Sequence, residues 1–165
     1  MRLNGSEAKR QRVPVSSRSC AADKKADELT VADLPKKEIH FPAGLLGFPD
    51  CQRFKLERFK PGDGSESPFF VLSAVDQELS FPVIHPASIA LNYPLPVAVN
   101  RELLSALGAQ SEQELIPLLI VTVRDKLEEM TVNLQGPLVI NPASSCGMQL
   151  VLDDFPLRHP LLINL

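Results

Sequence analysis

The side chains that most often carry out catalysis or bind metals are few and scattered in this sequence. Histidine and cysteine occur three times each, at His40, His85, His159, Cys20, Cys51 and Cys146. None of these positions has the close spacing that zinc ligands need, and the sequence has neither a GxSxG nucleophile motif nor a glycine-rich phosphate loop. We therefore predict no catalytic residue, no metal site and no cofactor-binding site.

Two pairs of adjacent acidic residues, Glu128-Glu129 and Asp153-Asp154, are the remaining candidates for acid–base chemistry. Such chemistry needs two carboxyl groups that face each other across a cleft, as in a glycosidase. Adjacent residues on a strand point to opposite faces, so neither pair is a natural catalytic dyad. We interpret both pairs as solvated turns, and the alternative is an acidic docking surface for another protein. The sequence thus predicts a protein that is not an enzyme.

The stretch around which the chain is organised runs from Ile39 to Asp50 and reads I-H-F-P-A-G-L-L-G-F-P-D. Its first residues alternate between apolar and polar side chains, as in a half-buried strand. Gly44 and Gly47 allow backbone angles that other residues avoid, which favours a tight corner after the strand. The apolar side chains that we predict to plug the end of a β core are Leu45, Leu46 and Phe48.

Short apolar runs bounded by turn residues recur along the rest of the chain, as in a small barrel or a sandwich. They predict strands at 29–34, 54–59, 68–75, 79–84, 115–123, 130–134, 137–140 and 148–152. One helix is predicted from Arg101 to Leu107, with Asn100 as its N-cap and Gly108 after its end. The predicted fold is therefore mainly β, with short antiparallel strands and one short helix.

Charge is distributed unevenly along the chain. Residues 1–26 carry seven basic and two acidic side chains, a net of +5, whereas residues 27–165 carry 10 basic and 18 acidic side chains, a net of -8. We expect 1–26 to be a disordered basic tail, because it is polar, serine-rich and without periodicity, and 27–165 to be the folded domain. An acidic body repels nucleic acid and attracts basic proteins. RNA binding through the tail is the alternative, although no aromatic residue accompanies its charges.

Cysteine usage and hydropathy indicate the compartment. An odd number of cysteines without CxxC spacing argues against a disulfide framework and fits a reducing environment. No apolar run approaches the roughly 20 residues of a membrane span, and the N-terminus lacks the apolar segment of a secretory signal. We predict a cytoplasmic protein without a membrane partner.

Several motifs in a fixed order resemble the family of the flagellar assembly factor FliW. The strongest are T-V-N-L-Q-G-P-L-V-I-N at 131–141 and I-H-F-P-A-G-L-L-G-F at 39–48, and the segments 68–75, 79–84 and 148–152 continue the resemblance. Together they span roughly residues 28 to 161. The resemblance implies a small β-barrel-like domain without catalytic activity.

The resemblance also implies a function that depends on two protein partners bound by turns. One is CsrA, an RNA-binding translational repressor, and the other is flagellin. Flagellin held in the cytoplasm would occupy the protein, and its export would free the protein to antagonise CsrA allosterically, away from the RNA-binding surface. The alternative is a cytoplasmic chaperone specific for flagellin, without a translational role.

The residues that we predict to contact a partner fall into two groups. Asn133 and Gln135 share one face of a predicted strand, and Gln149 is the comparable amide in a later strand. Their alternative role is to satisfy the backbone of the turn at Gly136. The second group is the set of acidic side chains predicted to dock a basic protein, namely Glu128, Glu129, Asp153 and Asp154.

Overall fold

The computed structural model describes residues 31–36, 38–89, 91–93 and 101–163. The predicted disordered tail at 1–26, the start of the first predicted strand at 29–30 and the predicted N-cap Asn100 lie outside these residues. Within them, no helix is long and apolar enough to cross a membrane.

Nine strands and one α-helix form in the described part of the chain. The strands are β1 (Ile39–His40), β2 (Arg53–Arg58), β3 (Phe69–Ala74), β4 (Ser80–Ile84), β5 (Ile116–Thr122), β6 (Thr131–Val132), β7 (Leu138–Asn141), β8 (Cys146–Gln149) and β9 (His159–Pro160). The helix is α1 (Arg101–Leu107), as predicted. Single turns of 3₁₀ helix lie at Val31–Asp33, Pro86–Ile89, Glu112–Glu114 and Leu127–Glu129.

Seven of these strands close into a barrel in the order β4-β3-β2-β1-β8-β7-β5, and β5 pairs back with β4. Neighbouring strands are antiparallel except for β1 and β8, which run parallel where His40 pairs with Cys146. Closure leaves these strands without a free edge, and a free edge promotes aggregation. The predicted mainly β, barrel-like fold of short antiparallel strands is confirmed.

Strand β5 is the centre of the pairing. Its residues 116–118 pair with β7, residues 119–120 with β4 and residues 121–122 with β6. Strand β9 then pairs with β6, so these two short strands form an extension on the outside of the barrel. Because β5 is covered on both faces, its sequence is a continuous apolar run rather than an alternating one.

The core consists of three apolar clusters, one inside the barrel and two outside it. The interior is filled by side chains that include Ile39, Phe41, Phe54, Leu72, Leu118 and Ile140. A second cluster packs on the outer faces of β4 and β5 and includes Ile84, Tyr93, Leu119, Val132 and Leu161. The third joins α1 to the barrel wall through Leu103, Leu107 and Val139.

A buried amide holds the end of α1 against the barrel. Asn141 is 1% exposed, and its Nδ2 donates a hydrogen bond of 2.9 Å to the carbonyl oxygen of Leu107. The hydroxyl of Ser144 donates to the same oxygen at 2.8 Å. The last carbonyl groups of a helix have no partner inside the helix, so these two donors satisfy one of them.

The strand predicted at 29–34 is wrong in its described part. Val31–Asp33 form a turn of 3₁₀ helix, and Leu34 packs against the barrel interior. Strand β1 already pairs with β2 on one side and with β8 on the other, so it offers no edge for a further strand. Strand β6 lies within the strand predicted at 130–134. Its partner β9 was not predicted, because a two-residue strand is too short to have a recognisable alternation.

Candidate protein-binding surface

The corner after β1 is a tight turn closed by backbone hydrogen bonds in both directions. Phe48 N–H donates to the Leu45 carbonyl at 2.8 Å, and Leu45 N–H donates to the Phe48 carbonyl at 3.3 Å. Gly44 and Gly47 have positive φ angles of 65° and 86°, which favour glycine. A Cβ atom on Gly44 would lie only 2.4 Å from the Phe48 carbonyl oxygen. Glycine at position 44 is therefore required by both backbone angle and space.

The three apolar side chains of this corner differ in their environment. Leu45 is 3% exposed and plugs the barrel core, as predicted. The same prediction is wrong for Leu46, which is 59% exposed, and for Phe48, which is 39% exposed. Leu46 and Gly47 occupy the two central positions of the turn, between the hydrogen-bonded residues Leu45 and Phe48. The Phe48 ring packs edge-on against Phe81 with ring centroids 5.7 Å apart.

The side chain of Gln149 joins this corner to the turn that follows β6. Its Oε1 accepts a hydrogen bond of 2.8 Å from Leu46 N–H, and its Nε2 donates at 3.1 Å to the Gly136 carbonyl. Asn133 Oδ1 accepts from Gly136 N–H at 2.8 Å. The two stretches that carry most of the family resemblance therefore meet at Gln149, although Leu46 and Gln149 are 103 residues apart.

The predicted amides thus lie in one region, and two of them bind the turn backbone. A Cβ atom on Gly136 would lie 3.0 Å from the side-chain nitrogens of both Asn133 and Gln149, so any larger residue there would displace the two amides. Gln135 is half-buried, and its carbonyl accepts a 2.7 Å hydrogen bond from Leu152 N–H. The side chains of Asn133 and Gln149 thus form hydrogen bonds with the backbone of the turn. Contact with a partner stays a prediction for all three amides.

Tyr93 fixes the same turn from the other side. Its hydroxyl donates a 2.5 Å hydrogen bond to the Leu134 carbonyl, and its ring packs on Phe155 with centroids 5.1 Å apart. Burial raises the pKa of the Tyr93 hydroxyl to about 12, because the buried site disfavours the phenolate. Tyr93, Asn133 and Gln149 together hold the 133–136 turn in one conformation.

The two predicted acidic pairs lie in separate exposed turns. Glu128 and Glu129 belong to the 3₁₀ turn before β6, and Lys126 Nζ lies 3.8 Å from Glu129 Oε1. Asp153 and Asp154 form the turn after Leu152 and are exposed. Both pairs therefore lie in solvated turns, and docking of a basic protein stays a prediction for all four carboxylates.

An apolar groove crosses the outer face of β3 and β4. It has a volume of about 390 Å³ and is lined by Phe59, Phe69, Phe70, Val71, Ser80, Pro82, Val123 and Met130. Phe59 and Val123 are 48% and 58% exposed. The groove was not predicted from the sequence, although β3 carries apolar residues on both of its faces, a pattern typical of a strand whose outer face is also covered.

The cysteines and other metal-ligating groups are dispersed in the described part of the chain. Cys51 is 3% exposed, and burial raises the pKa of its thiol, so it packs as a small apolar side chain. Burial also raises the pKa of the Cys146 thiol. Among the described residues, no three His, Cys, Asp or Glu side chains lie close enough together to hold a metal ion.

Fold and surface together define a class of protein: a small closed β-barrel whose distinctive features are exposed apolar side chains held on rigid turns. Within that class, the family model described as FliW protein matches residues 22–161. The chain belongs to the FliW family, and the resemblance found from its motifs is confirmed.

Relatives and a solved structure agree with this assignment. The flagellar assembly factor FliW of Natranaerobius thermophilus is 36% identical over 129 residues, which are 76% of this chain and 82% of the relative. That of Desulfitobacterium hafniense strain Y51 is 37% identical over 130 residues, which are 77% of this chain and 82% of the relative. A crystal structure of the flagellar assembly factor FliW matches with a TM-score of 0.66 and 28% identity, covering 84% of this chain and 92% of that chain.

Proposed function

We propose that this chain is a cytoplasmic flagellar assembly factor that works by binding proteins rather than by catalysis. In this proposal it antagonises the translational repressor CsrA allosterically and binds flagellin, so that flagellin translation follows flagellin export. The observation that carries the proposal is family membership over residues 22–161, with relatives that are named flagellar assembly factors.

The net charge of residues 27–165 supports CsrA as one partner. An RNA-binding repressor must carry basic side chains to neutralise phosphates, whereas residues 27–165 have a net charge of -8. Opposite charges raise the association rate of two proteins at low salt. In this proposal the carboxylates of Glu128, Glu129, Asp153 and Asp154 provide part of that attraction, and Asn133, Gln135 and Gln149 belong to the contact region.

The apolar groove supports flagellin, or another amphipathic client, as the second partner. A groove of about 390 Å³ with an almost wholly apolar lining can accept the apolar face of an amphipathic segment. This observation also favours the second candidate function, a flagellin-specific chaperone without a role in translation.

Purified components distinguish the two functions. The immobilised chain is incubated with CsrA, with flagellin, and with both at micromolar concentration in low salt. We expect each protein to be retained and added flagellin to displace CsrA. Retention of flagellin alone would support the chaperone, and retention of neither protein would contradict both functions. A basic protein of similar size that is unrelated to CsrA, such as lysozyme, controls for non-specific attraction.

A further inference from the structure

We propose that Leu46, Phe48 and Val151, named here the corner surface, dock an apolar side chain carried by a basic protein. The identification of that protein as CsrA rests on the function proposed above. The proposal differs from the prediction for the amides, because it assigns the contact to apolar side chains and assigns Gln149 the role of positioning them.

The geometry points to the corner surface because an exposed leucine is held on an immobilised backbone. Leu46 is 59% exposed, yet its N–H donates to Gln149 Oε1 at 2.8 Å. A turn this tight already has its two ends hydrogen-bonded, so the additional bond fixes the tip itself. Presenting a side chain on a preorganised backbone lowers the ordering cost of binding.

Val151 extends the apolar surface on the other side of Gln149. It is 57% exposed, and residues two apart along an extended chain lie on the same face about 7 Å apart. The backbone at this point is held by hydrogen bonds from Leu150 N–H to the Pro137 carbonyl and from Leu152 N–H to the Gln135 carbonyl. Gln149 therefore links the two side chains, because it accepts a hydrogen bond from Leu46 N–H and precedes Val151 by two residues.

Charge complementarity identifies the partner as basic. The three segments that meet at Gln149 are 42–52, 133–137 and 147–155, and their charged residues are Asp50, Asp153 and Asp154. Two arginines lie just beyond these segments, Arg53 directly after the first and Arg158 three residues after the last. Arg53 is paired with Glu38 at 3.6 Å and with Asp76 at 2.6 Å. By contrast, Lys60 follows Phe59 and Arg124 follows Val123 beside the apolar groove. Of these two apolar surfaces, the corner surface is the one whose own three segments carry only acidic charges, and this favours lysine or arginine on the partner.

The first test compares two exposed leucines. Leu46→Ser removes the tip side chain, and Leu162→Ser is the matched control, because Leu162 is 70% exposed and lies after β9. CsrA is the probe, and binding is measured by isothermal titration calorimetry on the full chain, with circular dichroism to verify the fold. We expect CsrA affinity to fall about tenfold or more for Leu46→Ser and less than about twofold for Leu162→Ser.

The second test compares the two acidic pairs. Asp153→Asn with Asp154→Asn should slow CsrA association and flatten its dependence on salt, because opposite charges near the contact accelerate encounter. The matched double variant Glu128→Gln with Glu129→Gln removes the same charge at the turn before β6 and should have the smaller effect. An equal or larger effect of the glutamate pair would overturn the assignment of the contact to the corner surface.

The remaining outcomes separate this proposal from the proposed function. If the wild-type chain binds CsrA and the Leu46→Ser variant binds it with the same affinity, the corner surface is overturned and the proposed function stands. Two results would overturn the choice of a basic partner. In one, Leu46→Ser abolishes the binding of flagellin but not that of CsrA. In the other, Leu46→Ser abolishes a dimer of this chain that is seen by size-exclusion chromatography. Failure of the wild-type chain to bind CsrA would overturn the proposed function and this docking role with it.

Discussion

Gln149 shows how a single residue joins parts of the sequence that are far apart. Its amide satisfies Leu46 N–H and the Gly136 carbonyl at the same time. A glutamine is suited to this position because it offers an acceptor and a donor on one planar group. The Asn133 side chain accepts a hydrogen bond from Gly136 N–H. Two neutral side chains therefore hold both the 133–136 turn and the corner after β1.

Replacement of Gln149 by alanine should destabilise the fold modestly. The change leaves Leu46 N–H and the Gly136 carbonyl without their side-chain partner, and each lost hydrogen bond costs about 1 kcal/mol. Urea unfolding followed by far-ultraviolet circular dichroism should show a midpoint lower than that of wild type. Gln113→Ala is the control, since Gln113 is exposed on the 3₁₀ turn at Glu112–Glu114. Equal midpoints for the two variants would contradict the role of Gln149.

Tyr93 makes a prediction that depends on pH. Because the pKa of its hydroxyl is raised to about 12 in the fold and is about 10 in an unfolded chain, its contribution to stability is complete below pH 10. That contribution is lost as the pH rises through 12, because the unfolded chain releases the proton first. Tyr93→Phe keeps the ring and should cost about 1 kcal/mol at pH 7.

The measurement compares the unfolding free energies of wild type and Tyr93→Phe between pH 7 and pH 11.5. The difference between them should shrink above pH 10. A difference that stays constant over this range would show that the tyrosine hydroxyl is not buried against the Leu134 carbonyl.

The corner after β1 is the element on which both the fold and the proposed contact depend. Leu45 fills the barrel end while Leu46 points outward. The glycines at 44 and 47 make this division possible, but the space around them differs. A Cβ atom on Gly44 would meet the backbone of residues 48 and 49, whereas one on Gly47 would have nothing within 4 Å.

Alanine at these two glycines should therefore have unequal effects. Gly47→Ala is strained only by its positive φ, which costs roughly 1–2 kcal/mol. Gly44→Ala adds a clash with two carbonyl oxygens, and we expect a loss of about 3 kcal/mol or more. Thermal unfolding of both variants measures the difference. Gly64→Ala, with φ of 76° and open surroundings, is a second control for the φ effect.

The strands and the helix could largely be predicted from local patterns, but the contacts between distant segments could not. The apolar run at 115–123 and the capping pattern around 101–107 are local signals, and both elements are present. The bond between Leu46 and Gln149 depends on the parallel pairing of β1 with β8, which no periodicity reveals. The exposure of Leu46 was mispredicted because an apolar side chain at a turn tip looks, in sequence, like one that faces the core.

The closed barrel and the acidic net charge together determine which partners the molecule can attract. The closed barrel leaves turns and outer faces as its available surfaces, and residues 27–165 have a net charge of -8. Such a molecule is suited to attract a basic protein and not a nucleic acid. The full chain and a chain without residues 1–26 should both fail to bind the RNA target of CsrA in a gel-shift assay. RNA binding that disappears with residues 1–26 would instead support the basic tail as an RNA-binding segment.

Antagonism of CsrA is tested by the fluorescence anisotropy of labelled flagellin messenger RNA bound to CsrA. Adding this chain should lower the anisotropy to that of free RNA, and adding flagellin afterwards should restore it. Anisotropy that stays high at a saturating concentration of the chain would contradict its role as an antagonist of CsrA.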